Sequence, residues 1–405
     1  MQKILKGMRV VEGSAFVAAP SGGMTLAQLG ADVIRFDQLG GGIDYKRWPL
    51  SDTGKSLYWN SLNKGKRSIA VDFRNKEGRE LVQRLIAEPG EDNGLFVTNF
   101  PAKGFLSDEI LRAKRNDLIY VNLTGDRKGG SAVDYTVNSR IGLPYLTGEG
   151  EKPINNPFPV WDVLAGQQIA VALLAAERHR SKFSEGQFVK IALADVAMAT
   201  MGHLGYIAEA QLADEGRKAI GNHIFGTFGH DFTLKDGCRV MIVGISQKQW
   251  NAIVTVTQTE NEILSLEEEL DLDFSNEGDR FSARKKLCEI FAPWFAKKRF
   301  ADAKKSLDEA GVCWGRYQKV EELVRNDPEC SVENPMFSIV NQPGVGEYLT
   351  PSQAMQFSSF EHHPPEPAPI LGQHTDEILS EILRLDSLEI AKLHDNKIVA
   401  GPEVS

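Results

Sequence analysis

Residues 9–37 read RVVEGSAFVAAPSGGMTLAQLGADVIRFD. The first four, residues 9–12, begin an apolar strand pattern. Small residues follow, Gly13, Ser14, Ala15, Ala18 and Ala19, and then Pro20, which suits the first turn of a helix. Leu26, Ala27 and Leu29 continue a helical face, and Gly30 ends it. Residues 31–37 return to strand character. Strand, small-residue loop, helix and strand form a βαβ unit, which implies a parallel sheet. There is no G-x-G-x-x-G, so the usual dinucleotide fingerprint is absent. The small side chains still let a ligand approach the backbone closely.

The chain downstream repeats this alternation. Gly40-Gly41-Gly42 marks a loop, followed by Arg47-Trp48-Pro49 and Tyr58-Trp59, aromatics that could flank a planar ligand but in such loops more often anchor the loop on the core. Asn63-Lys64-Gly65-Lys66-Arg67 leads into a strand at 68–72; a basic loop there reads equally as a phosphate site or a solvated turn. A helix at 75–86 carries Leu81, Leu85 and Ile86 on one face. Strands at 95–98 and 118–123 end in Asn99-Phe100-Pro101 and in a glycine-rich loop from Thr124 to Gly130. Ligands of open α/β sheets bind beyond such carboxyl ends.

Trp161-Asp162-Val163-Leu164-Ala165-Gly166 follows a Pro- and Asn-rich loop and precedes an Ala/Leu-rich helical run at 167–180. Asp is a preferred N-cap, so Asp162 at the mouth of this helix reads as a cap, with a nucleophile as the alternative. A strand at 188–193 and a buried helix at 195–208 come next. After Gly216 the character changes: a glycine-punctuated loop at 221–229, a strand at 239–245 and a charged helical block at 250–308, whose acidic patch at 260–273 reads as a solvated face. Pro328, Pro335 and Pro343 mark a return crossing, and residues 364–369 precede a short helix at 375–385. The expected division is a large Rossmann-like domain at 1–215, a small α+β domain at 216–325, and a return of the chain to the large domain at 326–405.

Composition narrows the function. With 405 residues, 42% hydrophobic and 25% charged, the chain has an ordinary globular make-up. A net charge of -9 argues against general nucleic-acid binding. The first residues lack an apolar signal core, and no apolar run is read as long enough to span a bilayer. Cys238, Cys288, Cys313 and Cys330 form no C-x-x-C, which suggests reduced thiols in a cytoplasm. There is no H-E-x-x-H and no zinc-like Cys/His spacing, so no metal is expected; no G-x-S-x-G occurs either. A lone carboxylate with glycine loops at strand ends suits acyl transfer through an acyl-aspartate, with backbone N–H groups stabilising an oxyanion, as one option among several.

A distributed set of motifs carries a resemblance. Leu5-Lys6-Gly7-Met8-Arg9-Val10-Val11-Glu12, Leu26-Ala27-Gln28-Leu29-Gly30-Ala31-Asp32-Val33-Ile34, Asn63-Lys64-Gly65-Lys66-Arg67-Ser68-Ile69, Thr98-Asn99-Phe100, Ala172-Leu173-Leu174-Ala175-Ala176 with Gly186-Gln187, and Leu371-Gly372-Gln373-His374-Thr375-Asp376-Glu377 occur in the order of the class III CoA-transferases. The chain resembles that family over most of its length. The resemblance implies that Asp162, with Gly166 completing a D-x-x-x-G helix start, is the nucleophile. It implies a Rossmann-like large domain with a parallel sheet, a small middle domain and two subunits interlocked as linked rings. It places CoA along Val17 and Ala18, the stretch Val71, Asp72, Phe73 and Arg74, and Asn99 with Phe100. CoA would arrive as part of the substrate, with no tightly bound cofactor.

Residues 12–20, 44–49 and 133–138 look closer to one branch, which moves CoA between the C1 and C4 carboxyls of mesaconate. Gln38 stands where the family commonly has a basic residue, and Gly226-Thr227-Phe228-Gly229 replaces the glycine-rich active-site loop of formyl-CoA transferases. Arg47, Tyr135, His223 and Gly226 are candidates for the substrate side, with structural roles equally open. The alternatives are an intermolecular transferase for a short dicarboxylic acid, a racemase-like enzyme, or a protein that only binds acyl-CoA. On reference values the nucleophile is ionised at pH 7 and needs no general base, only shielding from water.

Overall fold

The computed structural model describes residues 3–402 of the 405-residue chain. They form two compact units. The first takes the described residues up to Ile141, Asn156–Ala208 and the described residues from Pro328; the second takes Gly142–Asn155 and Glu209–Asp327. Residues 142–155, assigned above to the large domain, thus fall in the smaller unit.

In the first unit, strands β1 (Arg9–Gly13), β2 (Asp32–Asp37), β3 (Arg67–Val71), β4 (Leu95–Thr98), β5 (Ile119–Thr124) and β6 (Phe188–Ala192) lie in the order β3-β2-β1-β4-β5-β6. All neighbouring pairs among them are parallel, with Val10 opposite both Val33 and Leu95. A short strand, Val399–Ala400, adds antiparallel to β3 and closes that edge. Val10, Val33, Ile34, Phe96, Val97, Tyr120 and Val121 are at most 1% exposed. Residues of both parities are buried, as a parallel sheet covered on both faces requires. Strand order reverses between β1 and β4, and a crevice opens at such a switch point.

The helices Ala18–Gln28 and Val160–Phe183 pack closely beside this sheet. A Cβ on Gly166 would stand 2.0 Å from Ser21 Oγ and 2.8 Å from the Ala18 carbonyl oxygen; one on Gly22 would stand 2.9 Å from the Gly166 oxygen. Only glycine fits at either place, and this packing seats the start of the long helix against the first turns of the helix Ala18–Gln28. That helix has 24 residues and a mean hydropathy of 1.2 over its most apolar window, so by length and composition it could cross a membrane. The reading that no apolar run is long enough is corrected here. Trp161, Ala165, Gly166, Ile169, Ala170 and Leu173 are nevertheless buried within the unit.

The basic stretch 63–67 is neither a phosphate loop nor a solvated turn. Lys66 Nζ is buried and donates to Glu12 Oε1 at 2.8 Å, Pro20 O at 2.9 Å and Asn63 Oδ1 at 2.9 Å. Lys64 Nζ donates to Pro351 O, and Arg67 pairs with Asp32 and Glu377. Beside Lys66 lies Arg35, fully buried, which donates to Asp37, Asp44, Asn63 and the Ser14 carbonyl. Burial costs a charge so much that each must find partners, and the clustered carboxylates hold Arg35 firmly protonated.

Residues 195–208 do not form a buried helix. The chain makes two helices there, Leu193–His203 and Tyr206–Leu212, and the second buries nothing. Their Ala/Met/Leu content reads as core by composition, but Met198 and Leu204 are exposed.

The second unit is built on an antiparallel sheet of β7 (Phe228–Thr233), β8 (Arg239–Gly244) and β9 (Cys313–Arg316), in that order. Helices Gln247–Thr257, Glu260–Leu270, Arg284–Lys297 and Phe300–Ala310 accompany it. Its core holds Phe228, Phe232, Trp250, Phe274, Phe291 and Phe295. The acidic helix Glu260–Leu270 buries Ile263 and Leu266, exposes Glu260, Glu262, Glu268 and Glu269, and uses Glu267 to accept the Phe274 N–H.

Candidate active site

A cleft of about 570 Å³ opens at the carboxyl ends of β1, β4, β5 and β6, at the switch point of the sheet. Its walls come wholly from the first unit. Phe16, Val17 and Ala18 form one side, Asn99, Phe100 and Pro101 a second, and the loop from Gly125 through Tyr135 a third. Asp162 faces into it.

The loop after β1 is held by Asn99. Its Oδ1 accepts the Ala15 N–H at 2.9 Å and its Nδ2 donates to the Ala15 carbonyl at 2.7 Å. Each end of the amide thus makes one backbone bond, which fixes its orientation in the cleft wall and leaves a second N–H and a second lone pair. Phe16 lies in the left-handed region at φ 66°. A non-glycine residue there costs on the order of 1–3 kcal/mol and persists only where the surroundings enforce it; the Asn99 clamp is next to it.

Asp162 is the third residue of the helix Val160–Phe183, not its N-cap. Pro159 occupies the cap position and supplies no side-chain acceptor. The capping acceptor comes from 28 residues upstream: Asp134 Oδ2 accepts the Trp161 N–H at 2.7 Å and the Asp162 N–H at 3.1 Å. Trp161 Nε1 is fixed in turn by Asn138 Oδ1 at 3.0 Å. The cap reading of Asp162 is corrected: Asp134 satisfies those N–H groups, and the Asp162 carboxylate is left for the cleft.

Burial, with the Asp134 charge added, pushes the Asp162 carboxyl up to about 7, while Arg47 pulls the other way. The expectation from reference values alone is thereby corrected: burial and the Asp134 charge hold this carboxyl well above the ordinary aspartate range. Burial likewise raises Asp134, against the pull of its two N–H donors. The positive end of a helix favours the anion at Asp162 once formed.

Arg47 lines the same cleft, its guanidinium 5.2 Å from the ring centroids of both Phe16 and Tyr58. Tyr58, absent from the residues chosen from the sequence, has a buried hydroxyl with no hydrogen-bond partner among the described residues and a pKa raised to about 12 by burial. A buried donor without a partner costs about 1–3 kcal/mol; a bound carboxylate would relieve it. The sequence signal was the aromatic pair Tyr58-Trp59 shortly after Arg47, which read more readily as an anchor of the loop on the core. Tyr135 also lines the cleft and is 43% exposed.

Val17, Ala18, Asn99, Phe100, Arg47, Tyr135 and Asp162 are thus gathered in one place. Val71 is 1% exposed within the sheet and does not line the cleft. Phe73 lies one ring beyond it, its centroid 6.3 Å from Phe100 and 6.0 Å from Phe105. Arg74 is exposed and pairs with Asp72 at 3.0 Å. His223 and Gly226 belong to the second unit, before and at the entry to β7.

Residues 5–375 match the model of CoA-transferase family III. The chain is 53% identical over 406 residues to the 2-methylfumaryl-CoA isomerase of Chloroflexus aurantiacus, covering 100% of this chain and 99% of that protein. It is 29% identical to the succinyl-CoA:glutarate CoA-transferase of Mus musculus, covering 96% and 89% of the two chains. The crystal structure of a CaiB/BaiF family protein from Brucella suis superposes with a TM-score of 0.78 at 24% identity, over 94% of this chain and 100% of that one. That likeness supports the fold.

Proposed function

The chain belongs to CoA-transferase family III, and from this premise we propose that it moves coenzyme A from the C1 to the C4 carboxyl of mesaconate within one bound substrate. The observation that carries this reading is the full-length 53% identity to a 2-methylfumaryl-CoA isomerase, joined to a free carboxylate, Asp162, facing a cleft at the strand ends.

The steps balance as follows. Ionised Asp162 attacks the C1 thioester carbonyl; the C–S bond breaks and CoA leaves as thiolate, giving a mixed anhydride. The thiolate attacks the aspartyl carbonyl, and the anhydride C–O bond breaks to give an aspartyl-CoA thioester and mesaconate. The dicarboxylate turns over in the cleft. Its C4 carboxylate attacks the aspartyl thioester and expels the thiolate, which then takes the C4 acyl group and frees Asp162. Arg47 and Tyr58 offer a cation and an unpaired donor for whichever carboxylate is not reacting, with Tyr135 on the same rim. The pantetheine arm would run past Val17, Ala18 and Phe100, and the nucleotide end over Phe73 toward Arg74.

An interlocked homodimer acting in the cytoplasm completes the proposal. Exposed Val171, Phe183, Met198 and Leu204 offer the apolar surface that a second copy would cover. Free labelled mesaconate added during turnover should stay out of the product. Substantial incorporation would instead assign the intermolecular reaction that the name of the Mus musculus relative describes.

Because only ionised Asp162 attacks, kcat/KM for the C1 thioester should rise with pH through about 7 and then level. Asp134→Asn keeps an oxygen for the helix N–H groups and removes the neighbouring negative charge. The midpoint should then move to lower pH, with little loss of thermal stability. A midpoint that stays put, or moves up, would contradict the assignment of Asp134 as the group that tunes Asp162.

A further inference from the structure

Strand β7 carries Phe228, His230 and Phe232 at alternate positions, so they share a face. The helix Arg284–Lys297 presents Cys288, Phe291 and Phe295 at spacings of three and four, again one face. Phe228 meets Phe291 edge-on at 5.3 Å, and Phe232 stacks on Phe295 at 4.3 Å. This interface is aromatic except where His230 and Cys288 fall within it. His223, from the loop before β7, lays its ring over His230, centroids 4.2 Å apart and planes 18° from parallel.

Donor atoms of His223, His230 and Cys288 all lie within 4.8 Å of one another. The Nδ1 atoms of both histidines are buried and have no hydrogen-bond partner among the described residues. One orphaned ring nitrogen costs about 1–3 kcal/mol. Two of them beside a thiol are the pattern that one shared cation resolves. We propose that His223, His230 and Cys288 form a binding site for a divalent transition-metal ion, zinc by chemical preference.

The donor set selects the metal. Two imidazole nitrogens and a thiolate suit zinc in a tetrahedral site whose fourth position is open to solvent, and the residues are only half-buried. Calcium and magnesium demand oxygen ligands. A neutral imidazole offers one ring lone pair to a metal. Zinc takes cysteine as thiolate, so binding releases the Cys288 proton. Asp231 is excluded from the ligand set: it follows His230 on the alternate side of β7 and is engaged by Arg239 and Asn222. Its charge still partly offsets Arg284 and Lys285 near His223. The site ties the loop before β7 to the core of the second unit. Its donors are scattered along the chain at 223, 230 and 288, which is why no zinc spacing is visible in the sequence.

The test is a cobalt titration of the full-length protein after chelator treatment. One equivalent of Co²⁺ should produce the ligand-field bands of tetrahedral cobalt and a thiolate-to-cobalt charge-transfer band, both bleached by Zn²⁺. Zinc should also raise the melting temperature of the chelated protein. Cys288→Ser should abolish the charge-transfer band and weaken binding by more than the roughly 100-fold seen when an outer-sphere partner is lost; Cys238→Ser should leave the spectrum intact. An octahedral spectrum, no saturation at one equivalent, or a charge-transfer band surviving in Cys288→Ser would overturn the site. These readouts do not involve turnover, so they stand or fall apart from the transferase reading.

Discussion

Asp162→Ala should lose on the order of 10⁴-fold or more in turnover, the scale at which removal of a covalent nucleophile registers, while CoA binding survives. The structure separates the chemical role from a structural one. Because Asp134 accepts the helix N–H groups, deleting the Asp162 side chain breaks no cap. Stability should move in the opposite direction to activity. The carboxyl's folded pKa, about 7, lies above the roughly 3.9 of an unfolded aspartate. The native state therefore holds its proton more tightly, and ionised Asp162 weakens the fold as pH rises from about 4 to about 7. Above pH 7 the penalty is complete, so Asp162→Ala should melt higher than the parent at pH 8 and lose that advantage toward pH 4. A variant that is inactive and also less stable at pH 8 would mean that Asp162 holds the helix after all.

Arg35→Met should cost about 3–5 kcal/mol, the range for breaking a buried ion pair by removing one partner. At a few degrees per kcal/mol, the melting temperature should fall by roughly 10 °C. Glu12, Arg35, Asp37, Asp44 and Lys66 are each at most 3% exposed. Three carboxylates face two cations there, leaving one net negative charge, and Arg35 reaches both Asp37 and Asp44. Without it one ammonium faces three buried carboxylates. Adding Asp44→Asn to Arg35→Met should restore part of the loss, since the two sites share a partner and are not additive. The damage should extend to the cleft, because Arg35 also donates to the Ser14 carbonyl at the start of the loop that carries Phe16 and Ala18. Equal melting of variant and parent in a thermal scan would show that the cluster contributes nothing.

The parallel sheet was legible because apolar runs such as residues 95–98 and 118–123 are buried on both faces and need no partner to be recognised. The position of Asp162 at the start of a long helix was legible for the same reason: the Ala/Leu run after it has no other use. The missing parts are those set by distant residues. Nothing near Asp162 announces that Asp134 takes over its cap, and reference values alone could not tell that burial beside Asp134 raises its pKa. Lys64 and Lys66 look like surface charge in a basic stretch, yet their acceptors, Pro351 O and Glu12, come from elsewhere in the chain. Tyr58 became a candidate only when its hydroxyl proved to be buried without a partner beside Arg47. The failed helix at 195–208 has a related cause: composition reports apolar content, not which face of a helix is covered.

The most direct measurement is to trap the purified protein during turnover of mesaconyl-C1-CoA with hydroxylamine and map the adduct by peptide mass spectrometry. An acylated aspartate should be captured as a hydroxamate on Asp162 and on no other carboxylate. Continued conversion of the thioester with Asp162 unmodified, or with the adduct on another residue, would contradict the acyl-aspartate account.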